Sequence, residues 1–513
     1  MLAKLRSMAV LGIDAFEVTI EADICEMMPG FAIVGLPDGA VKESKERVLS
    51  AIKNCGFEFP ARKVTINMAP ADVKKEGSAF DLPIAIGMLM ASSQISIDSL
   101  DDYIITGELS LDGTVKRVKG MLSMAITARD MGVKGMIVPR ENAREAAVAE
   151  GVSIYPVDNL SDALEFLQNT KTIEPHYTDL DELFNQSRRY GVDFKDVKGQ
   201  EHIKRALLVA ASGGHNILMV GPPGSGKTML ARRLPTILPD LSLDEALETT
   251  KIHSVAGLLD SSTPLLAVRP YRSPHHTISD AGLIGGGSYP RPGEVSLSHH
   301  GVLFLDELPE FSKNVLENLR QPLEDGKVTI SRAAMSLSYP ARFMLAVALN
   351  PCPCGFFTDP RHKCSCKQEA IQKYMGRISG PLLDRIDIHT EVPALSYEEL
   401  SRKTPGLDSA SLREKVVAAR KIQTARFKGE KHLFCNAHME SRHIRKYCNL
   451  DESCLSLLKT AIEKLGLSAR AYDRILKVSR TVADLDNSEI IRSPHISEAI
   501  QYRSLDRKLW MGR

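Results

Sequence analysis

The stretch HNILMVGPPGSGKTMLARRL, residues 215–234, decides the fold of this chain. Its apolar run Ile217–Val220 reads as a buried strand, and Met229–Leu234 reads as the start of a helix. Between them, GPPGSGKT at residues 221–228 matches G-x-x-x-x-G-K-[ST], whose glycines let backbone N–H groups turn inward around phosphate. A strand, a phosphate loop and a helix in this order predict a nucleotide-binding α/β core.

Each residue of the phosphate loop has an expected role. Lys227 is expected to reach the β- and γ-phosphates of ATP, and the Thr228 hydroxyl is expected to ligate Mg²⁺. The backbone that cradles the phosphates is expected to be that of Gly221, Pro222, Pro223, Gly224, Ser225 and Gly226. ATP and Mg²⁺ are therefore the first predicted cofactors.

Two further apolar runs end in polar residues. Val302–Leu305 is followed by Asp306 and Glu307, and the run RFMLAVALNP reaches Asn350. Uninterrupted apolar runs are typical of strands that are buried on both faces of a parallel sheet. Beside a phosphate loop, Asp306 is expected to hold the Mg²⁺ shell, Glu307 to polarise the attacking water and Asn350 to orient it. The pattern thus predicts an ATP hydrolase.

Two arginines later in the chain are candidates for contacting the γ-phosphate. Arg385 lies in GPLLDRIDIHTEV, in a predicted turn between a helix and a strand, where it suits an arginine finger acting on a neighbouring subunit. A local salt bridge to Asp384 or Asp387 is the alternative. Arg470 begins a predicted helix, from which it could touch the phosphates as part of a lid, or be one exposed arginine among many.

Four of the nine cysteines fall close together in NPCPCGFFTDPRHKCSC, residues 350–366. The pattern C-x-C-x₉-C-x-C can form a tetrahedral, structural Zn²⁺ site, with the ligands Cys352, Cys354, Cys364 and Cys366. Such a site would stabilise a loop that is too small to bury a core. His362 is a competing ligand, and reduced metal-free thiols or a redox disulfide are the alternatives.

The length and composition indicate a soluble protein of several domains. At about 150 residues per domain, the 513 residues predict about three. No apolar run reaches the ~18 residues of a membrane span, and Asp14 and Glu17 interrupt the N-terminal segment. Neither a membrane anchor nor a signal peptide is therefore expected, and we expect a cytoplasmic protein whose thiols stay reduced.

Composition divides the chain into four parts. Residues 1–170 mix short strands and helices, 171–190 read as a polar linker, 191–393 carry the nucleotide core, and 394–513 are helical. Residues 401–513 hold 23 Lys and Arg against 13 Asp and Glu. This positive excess fits either a polyanionic partner or a solvated helical surface.

The ordered motifs GPPGSGKT, VLFLDE, ALNP, LLDRID and LSARAYDR resemble those of an AAA+ ATPase, within the branch of magnesium-chelatase subunit I and MCM. Residues 269–301 resemble the helix-2 insert of this branch, and residues 327–340 resemble its pre-sensor hairpin. RSPHHTISDAGLIGGG and LRQPLEDGKVTISRA are similar to the bacterial ComM/YifB family, and the resemblance spans essentially the whole chain.

The N-terminal part, including INMAPADVKKEGSAFDLPIAIGMLMA, resembles the Lon-protease fold, which is related to ribosomal protein S5. A Lon protease needs a nucleophilic serine and an activating lysine, but the matching places hold Ala79, with Ser78 beside it, and Leu122. Without the base, a serine hydroxyl stays a weak nucleophile. The expected fold is therefore an α/β AAA+ core with a parallel sheet, preceded by a proteolytically inactive α+β domain and followed by an all-helical lid.

The resemblance implies an ATP-driven homo-hexameric ring that acts on single-stranded or branched DNA. Such a ring would move recombination intermediates by branch migration, as a helicase or translocase in natural transformation, with recombination proteins as candidate partners. Arg332, near the expected hairpin tip, is the candidate for tracking DNA phosphates. Two other functions stay open. A magnesium-chelatase motor subunit with a porphyrin partner is disfavoured by the Lon-like domain, and an ATP-dependent protease by the missing dyad.

Overall fold

The chain folds into two compact units. The computed structural model describes residues 2–97, 100–187, 190–260, 262–287, 289–332, 335–357, 359, 361–395, 406–430, 433–466 and 468–505. The first unit comprises Met1–Arg188 and Leu243–Ala267, and the second comprises Arg189–Ser242 and Val268–Arg513. The first boundary falls inside the predicted linker, whereas the return of residues 243–267 to the first unit is not apparent in the sequence.

Most strands are short, and the two longest open the chain. In the first unit they are β1 (Leu2–Leu11), β2 (Asp14–Cys25), β3 (Gly30–Val34), β4 (Lys63–Ala69), β5 (Tyr103–Ile105), β6 (Glu108–Leu109), β7 (Val115–Lys116), β8 (Gly135–Pro139) and β9 (Ser153–Val157). In the second unit they are β10 (Ile217–Val220), β11 (Tyr271–Arg272), β12 (Gly285–Gly286), β13 (Arg291–Pro292), β14 (Val302–Leu305), β15 (Lys327–Arg332), β16 (Met335–Pro340), β17 (Met344–Leu349) and β18 (Ile388–Glu391).

The helices follow the same order along the chain. Up to the end of the first unit's second segment they are α1 (Gly39–Asn54), α2 (Asp81–Ala91), α3 (Met121–Asp130), α4 (Ala143–Ala146), α5 (Leu160–Leu167), α6 (Leu180–Ser187), α7 (Glu201–Gly213), α8 (Lys227–Ile237) and α9 (Leu243–Ala256). After it they are α10 (Asp280–Ile284), α11 (Glu294–Leu297), α12 (Lys313–Asn318), α13 (Arg320–Asp325), α14 (Gln368–Met375), α15 (Gly380–Leu383), α16 (Ser409–Arg426), α17 (Ser441–Tyr447), α18 (Glu452–Leu465), α19 (Ala469–Leu485) and α20 (Ser493–Gln501).

The first unit is built on a seven-stranded mixed sheet in the order β3-β4-β2-β1-β5-β8-β9. Its longest ladder is the antiparallel pair β1 and β2, in which Leu2 lies opposite Asp23 and Leu11 opposite Asp14. Exposed and buried residues alternate at the start of β1, because successive side chains of a strand point to opposite faces. The helix α2 is buried at ten of its eleven positions and packs against β1 and β2, so it forms the centre of this unit's core.

The helix α9 completes the first unit, although the sequence places it among the nucleotide-site motifs. It packs against α3. The hydroxyl of Ser254 donates to the buried carboxylate of Glu145, which also accepts from the backbone N–H of Leu122 at 3.1 Å. Lys251 pairs with Asp14 at 3.0 Å. These polar contacts tie the inserted segment to the N-terminal part of the chain.

The second unit contains a five-stranded parallel sheet in the order β11-β14-β17-β10-β18. Every residue of β10, β14 and β17 is buried, as expected for strands covered on both faces. β10 and β17 end side by side at Val220 and Leu349, and β14 ends next to them at Leu305. The residues that follow these strands therefore meet at one edge of the sheet. The predicted parallel α/β core is confirmed.

The C-terminal helices pack on the nucleotide core within the same unit. Both α16 and α19 contact α7, and α20 contacts α19 and α18. The start of α19 is capped by Ser468, whose side chain accepts from the backbone N–H of Ala471. The predicted helical C-terminal region is confirmed, while residues 396–405, near its predicted start, lie outside the described residues. In the described part of the chain, every helix is too short or too polar to cross a bilayer.

Candidate functional site

The phosphate loop joins β10 to α8, as the sequence predicts. Gly221 follows the last residue of β10, where a Cβ would lie 2.1 Å from the carbonyl oxygen of Val392, so only glycine fits. Gly226 caps α8 with a φ of +91°, a conformation that side chains rarely adopt. The loop residues between them therefore lead directly to the positive N-terminal end of a helix, which is suited to binding phosphate.

Lys227 is buried and surrounded by oxygen atoms. Its Nζ donates to the carbonyl oxygens of Gly221 at 2.7 Å and Pro222 at 2.9 Å, and to Oδ1 of Asn350 at 3.2 Å. Burial lowers the pKa of Lys227, and the carboxylates of Asp306 and Glu307 partly oppose this shift. The structure thus brings the predicted lysine and the predicted asparagine together.

Thr228 and Asp306 form a pair at the end of β14. Thr228 Oγ1 donates to Asp306 Oδ2 at 2.6 Å. The other carboxylate oxygen of Asp306 accepts from the backbone N–H of Glu307 at 3.0 Å. A hydroxyl and a carboxylate beside a phosphate loop are the protein ligands that Mg²⁺ takes in such sites. The donor set therefore fits the predicted Mg²⁺.

Glu307 occupies an unusual backbone position. Its φ is +52°, in the left-handed region that residues other than glycine rarely adopt. Its side chain is about half exposed, and His276 Nδ1 lies 3.9 Å from its Oε2. The exposure of this carboxylate is compatible with the predicted contact to the attacking water, and that role of Glu307 stays a prediction.

Sequence reasoning missed two residues beside this site. Gln200 is buried at the start of α7, and its Nε2 donates to the carbonyl oxygens of Ser225 at 2.9 Å and Pro393 at 3.3 Å. It thereby connects the phosphate loop to the segment after β18. The other is His276, the neighbour of Glu307. The phrase DVKGQ before α7 and the histidine pair after β11 are the signals that could have indicated them.

Arg385 and Arg470 line one cavity of about 190 Å³, together with Glu324, Asp384, Asp473, Arg474 and Lys477. None of the described residues that line it comes from the phosphate loop. The structure therefore groups the two predicted arginines with each other in a cavity that Lys227 does not line. The role of Arg385 as an arginine finger for a neighbouring subunit and that of Arg470 as a lid residue stay predictions.

The partners of these arginines differ from the sequence-based alternative. Arg385 is buried, donates to the carbonyl oxygen of Pro381 at 2.5 Å and forms an ion pair with Glu324. It does not pair with Asp384, which instead lies 3.8 Å from the exposed Arg470. Arg385 therefore does form an ion pair within its own chain, but with Glu324, which lies 61 positions away in the sequence.

The turn after Arg385 is fixed by a buried carboxylate. Asp387 pairs with Arg474 of α19, and its Oδ2 lies 3.1 Å from Nδ1 of His215. Burial alone would raise the pKa of Asp387, but the charge of Arg474 and the hydrogen bond with His215 outweigh it and hold that pKa below its usual range. The C-terminal helices therefore help to position the arginine turn.

The four predicted zinc ligands lie together in the loop after β17. The sulfur of Cys352 lies 3.3 Å from that of Cys354 and 3.7 Å from that of Cys364, and the latter two sulfurs are 3.6 Å apart. All four, including Cys366, lie within 4.8 Å of one another. Tetrahedral Zn²⁺ with Zn–S bonds of about 2.3 Å separates its sulfurs by roughly 3.8 Å. The cluster therefore has the size of a zinc site.

His362 has other partners than this cluster. Its Nδ1 lies 2.9 Å from Oδ2 of Asp359, and its ring packs against that of Phe356 with the ring centres 4.9 Å apart. The described geometry therefore favours the four sulfurs over the competing histidine.

The two inserts of the core form hairpins that touch each other. β12 pairs with β13, and β15 pairs with β16, both antiparallel. The exposed Arg332 of β15 donates from Nε to the carbonyl oxygen of Gly287 at 3.2 Å, and Tyr339 donates from its hydroxyl to the carbonyl oxygen of Pro290 at 2.6 Å. Residues 288, 333 and 334, at the hairpin ends, lie outside the described residues.

In the first unit, the two places expected for a proteolytic dyad hold buried apolar side chains. Ala79 and Leu122 are both buried, and the adjacent Ser78 donates its hydroxyl hydrogen bond to Glu108. A carboxylate can accept the serine proton, but the lysine that a Lon-type dyad uses is replaced by leucine. The proteolytically inactive scaffold stays a prediction.

Three family models match successive parts of the chain. The model described as magnesium chelatase, subunit ChlI, matches residues 193–400. A second, described as subunit ChlI of Mg-chelatase, matches residues 20–142, and a third, described as the C-terminal part of subunit ChlI, matches residues 406–503. Together they cover both units.

Curated relatives match the chain from end to end. YifB of Escherichia coli is 44% identical over 503 residues, which cover 98% of this chain and 97% of that protein. The competence protein ComM of Haemophilus influenzae is 44% identical over 513 residues, which cover 99% of this chain and 98% of that protein. Lon protease 2 of Bacillus subtilis is 34% identical over only 157 residues, 28% of this chain and 27% of that protein. The chain therefore belongs to the YifB and ComM family of magnesium-chelatase-like AAA+ proteins, for which ATP hydrolysis is the implied activity.

Proposed function

We propose that this chain is the subunit of an ATP-driven hexameric ring that remodels branched DNA by branch migration in the cytoplasm. The observation that carries the proposal is the junction of the two insert hairpins, which presents the exposed Arg332 on the same unit as the phosphate loop. The identity with a protein named for competence supports a role in handling incoming DNA.

The ATP site would use its residues in separate roles. Lys227 binds the β- and γ-phosphates, and Glu307 polarises the attacking water while Asn350 orients it. Mg²⁺, held by Thr228 and Asp306, would neutralise charge on the phosphates. Asn350, at the end of β17, already contacts Lys227. Loss of the γ-phosphate on hydrolysis would therefore alter the surroundings of Asn350 as well.

The arginine cavity supports an assembly of several copies. Arg385 and Arg470 line one cavity, whose described lining includes no residue of the phosphate loop, and we infer that Arg385 reaches the γ-phosphate of a neighbouring subunit. Arg470, which is exposed on α19, is the lid residue that contacts phosphate. A closed ring gives every phosphate loop a neighbour, because head-to-tail interfaces close when the rotation per subunit allows it.

The DNA path would follow the hairpins. The bond from Arg332 to Gly287 orients the guanidinium without neutralising its charge, which leaves it able to attract a phosphate. Copies around a ring would form a belt of positive charge that holds DNA of any sequence. Recombination proteins are the partners that would deliver such DNA.

We also propose that the four cysteines bind one structural Zn²⁺ per chain. The loop between Asn350 and α14 has little apolar content of its own, so a metal would supply the closure that a core cannot. The N-terminal unit acts as a scaffold in this proposal. The domain limits at residues 170, 190 and 393 remain predictions.

The test compares stimulation of ATP hydrolysis by a four-way DNA junction, by a porphyrin and by casein. We expect the junction alone to stimulate, with Lys227→Ala as the inactive control. Stimulation by porphyrin would favour the chelatase function, which the family descriptions keep open: the model that matches residues 20–142 is itself named for the chelatase subunit, so this domain does not exclude it. Stimulation by casein with cleavage would favour the protease.

A further inference from the structure

The loop that carries the four cysteines contacts the phosphate loop through two of its other residues. Asn350, just before the cluster, accepts a hydrogen bond from Nζ of Lys227 at 3.2 Å. Gly355, just after the first two cysteines, packs on Pro223 of the loop. A Cβ on Gly355 would lie 2.5 Å from Cδ and 2.8 Å from Cγ of Pro223, so the glycine lets the ring of Pro223 pack directly on the backbone of the cysteine loop.

Both contacts depend on the path of the backbone through residues 350–355. The N–H of Gly355 donates to the carbonyl oxygen of Cys352 at 2.9 Å, which closes a turn with a φ of +87° at the glycine. Cys352 is fully buried. The N–H of Cys354 points to the sulfur of Cys366 at 3.4 Å, so the turn is tied to the second pair of cysteines. A metal ion shared by both pairs would fix this turn.

We propose that Zn²⁺ in the cluster controls the ATP site: the bound metal holds the phosphate loop in its nucleotide-binding conformation, and loss of the metal weakens nucleotide binding. This inference rests on the ATPase and the Zn²⁺ site proposed above, and adds a coupling between them. Coupling between two sites is reciprocal, so bound nucleotide must also hold the metal more tightly.

The first experiment removes the metal without touching the phosphate loop. In the full-length double variant Cys364→Ser/Cys366→Ser, the two altered residues are those farther along the chain from Asn350. We expect elemental analysis to find about one zinc in the wild type and none in the variant. The Kd of a fluorescent ATP analogue in Mg²⁺ should rise by a factor of about 5 to 150, the ordinary range of coupling between sites. Cys25→Ser, an exposed cysteine of the first unit, is the matched control and should change neither value.

The second experiment keeps the metal and breaks the packing of Gly355 on the phosphate loop. Gly355→Ala leaves all four cysteines in place but adds a methyl group that must displace Pro223. We expect unchanged zinc content and weaker binding of the nucleotide. Gly429→Ala is the control, because Gly429 also has a positive φ, of +97°, but a Cβ there meets no atom within 4 Å. This pair separates the packing from backbone strain, and it keeps the inference testable if the cysteine variant fails to fold.

The third experiment measures the coupling at the metal. Transfer of zinc from the wild-type protein to a chromogenic chelator should slow when Mg²⁺ and nucleotide are added. At a nucleotide concentration near the wild-type Kd, the same addition should have a much smaller effect on Lys227→Ala, which corrects for direct chelation of zinc by the nucleotide.

Unchanged nucleotide affinity in a folded, metal-free double variant would overturn the coupling, as would a wild-type protein that neither contains nor takes up zinc. If the double variant does not fold, unchanged affinity in Gly355→Ala would overturn it instead. These failures are distinct from failure of the motor function. If the nucleotide affinity depends on zinc but DNA does not stimulate the ATPase, the coupling is supported and the motor function is contradicted. If DNA stimulates the ATPase but the nucleotide affinity does not depend on zinc, the motor function is supported and the coupling is contradicted.

Discussion

Lys227 and Glu307 lie at the same sheet edge in very different surroundings. Lys227 is buried among three oxygen acceptors, whereas Glu307 is about half exposed and is held by a strained backbone angle. These surroundings suit the roles predicted for the two residues, in which Lys227 binds phosphate and Glu307 polarises the attacking water. Substituting each of them should therefore have different consequences.

Lys227→Ala should weaken nucleotide binding by roughly 10- to 100-fold, because it removes a charge-assisted hydrogen bond to phosphate. Glu307→Gln should leave binding largely intact and lower kcat by about 10²- to 10⁴-fold, because an amide cannot act as a base. Equilibrium binding of a fluorescent nucleotide and steady-state ATPase rates measure both. Equal reductions of affinity in the two variants would contradict this division of roles.

Arg385→Ala should lower ATP hydrolysis by about 10³-fold or more while each subunit still binds ATP, because an arginine finger stabilises charge in the transition state only. Mixing this variant with Lys227→Ala should restore some ATPase activity. In a mixed ring, some interfaces pair an intact Arg385 with an intact phosphate loop. Titration of one variant into the other measures the effect, and an assignment to the same subunit would gain support if no ratio restored activity.

Residue types and spacing indicated the phosphate loop and also Asp306, Glu307 and Asn350. Each of these sites comes immediately after an apolar strand in the sequence. The partners could not be found in this way. Glu324 pairs with Arg385 from 61 positions away, and His276 approaches Glu307 from the insert. Such pairs depend on how helices and inserts pack, which local patterns do not contain.

Among the elements, the buried strands were the most predictable. Ile217–Val220 and Val302–Leu305 have the predicted limits in the structure, because burial on both faces selects an unbroken apolar run. α8 begins at Lys227, two residues before the predicted start. The glycine-rich motif includes these first helical residues, so no apolar periodicity marks them as helical. The two-residue strands β11, β12 and β13 carry no pattern long enough to detect.

The hairpin of β15 and β16 gives a prediction at this scale. Arg332→Ala should weaken binding to all DNA sequences alike and reduce the salt slope by roughly one for each phosphate that the arginine no longer neutralises, because neutralising a phosphate releases counterions. Fluorescence anisotropy with single-stranded and four-way-junction DNA at several salt concentrations measures this. Lys327→Ala is the control, since Lys327 carries the same charge at the hairpin base, opposite Pro340. Equal effects of the two variants would remove Arg332 from the DNA path.

For the whole molecule, the unexpected feature is the path of the chain between its two units. The chain leaves the first unit near residue 188, returns for residues 243–267 and leaves again. The sequence could not indicate this return. The buried residues of α9 are mostly Ala, Thr, Ser and His, so its sequence lacks the apolar stripe that would indicate a buried face, and it does not indicate which partner covers the helix.

Ser254→Ala should destabilise the first unit by about 1 kcal/mol, because the buried Glu145 is deprived of one of its hydrogen bonds. Hydrogen exchange should show lower protection in α3 and α4, while nucleotide affinity stays unchanged. Ser262→Ala, an exposed serine of the same segment, is the control. A reduced nucleotide affinity without a change in exchange would show that the segment belongs functionally to the ATP site.

The returning segment also sets the order in which the protein can mature on the ribosome. A nascent chain of 188 residues lacks the helix that covers α3, and this helix emerges only after β10, the phosphate loop and α8. Domains commonly fold as they leave the exit tunnel, the N-terminal one first. Here the N-terminal unit is synthesised first, but its last segment ends only at residue 267. The start of the nucleotide core therefore emerges from the ribosome before the N-terminal unit can complete its fold.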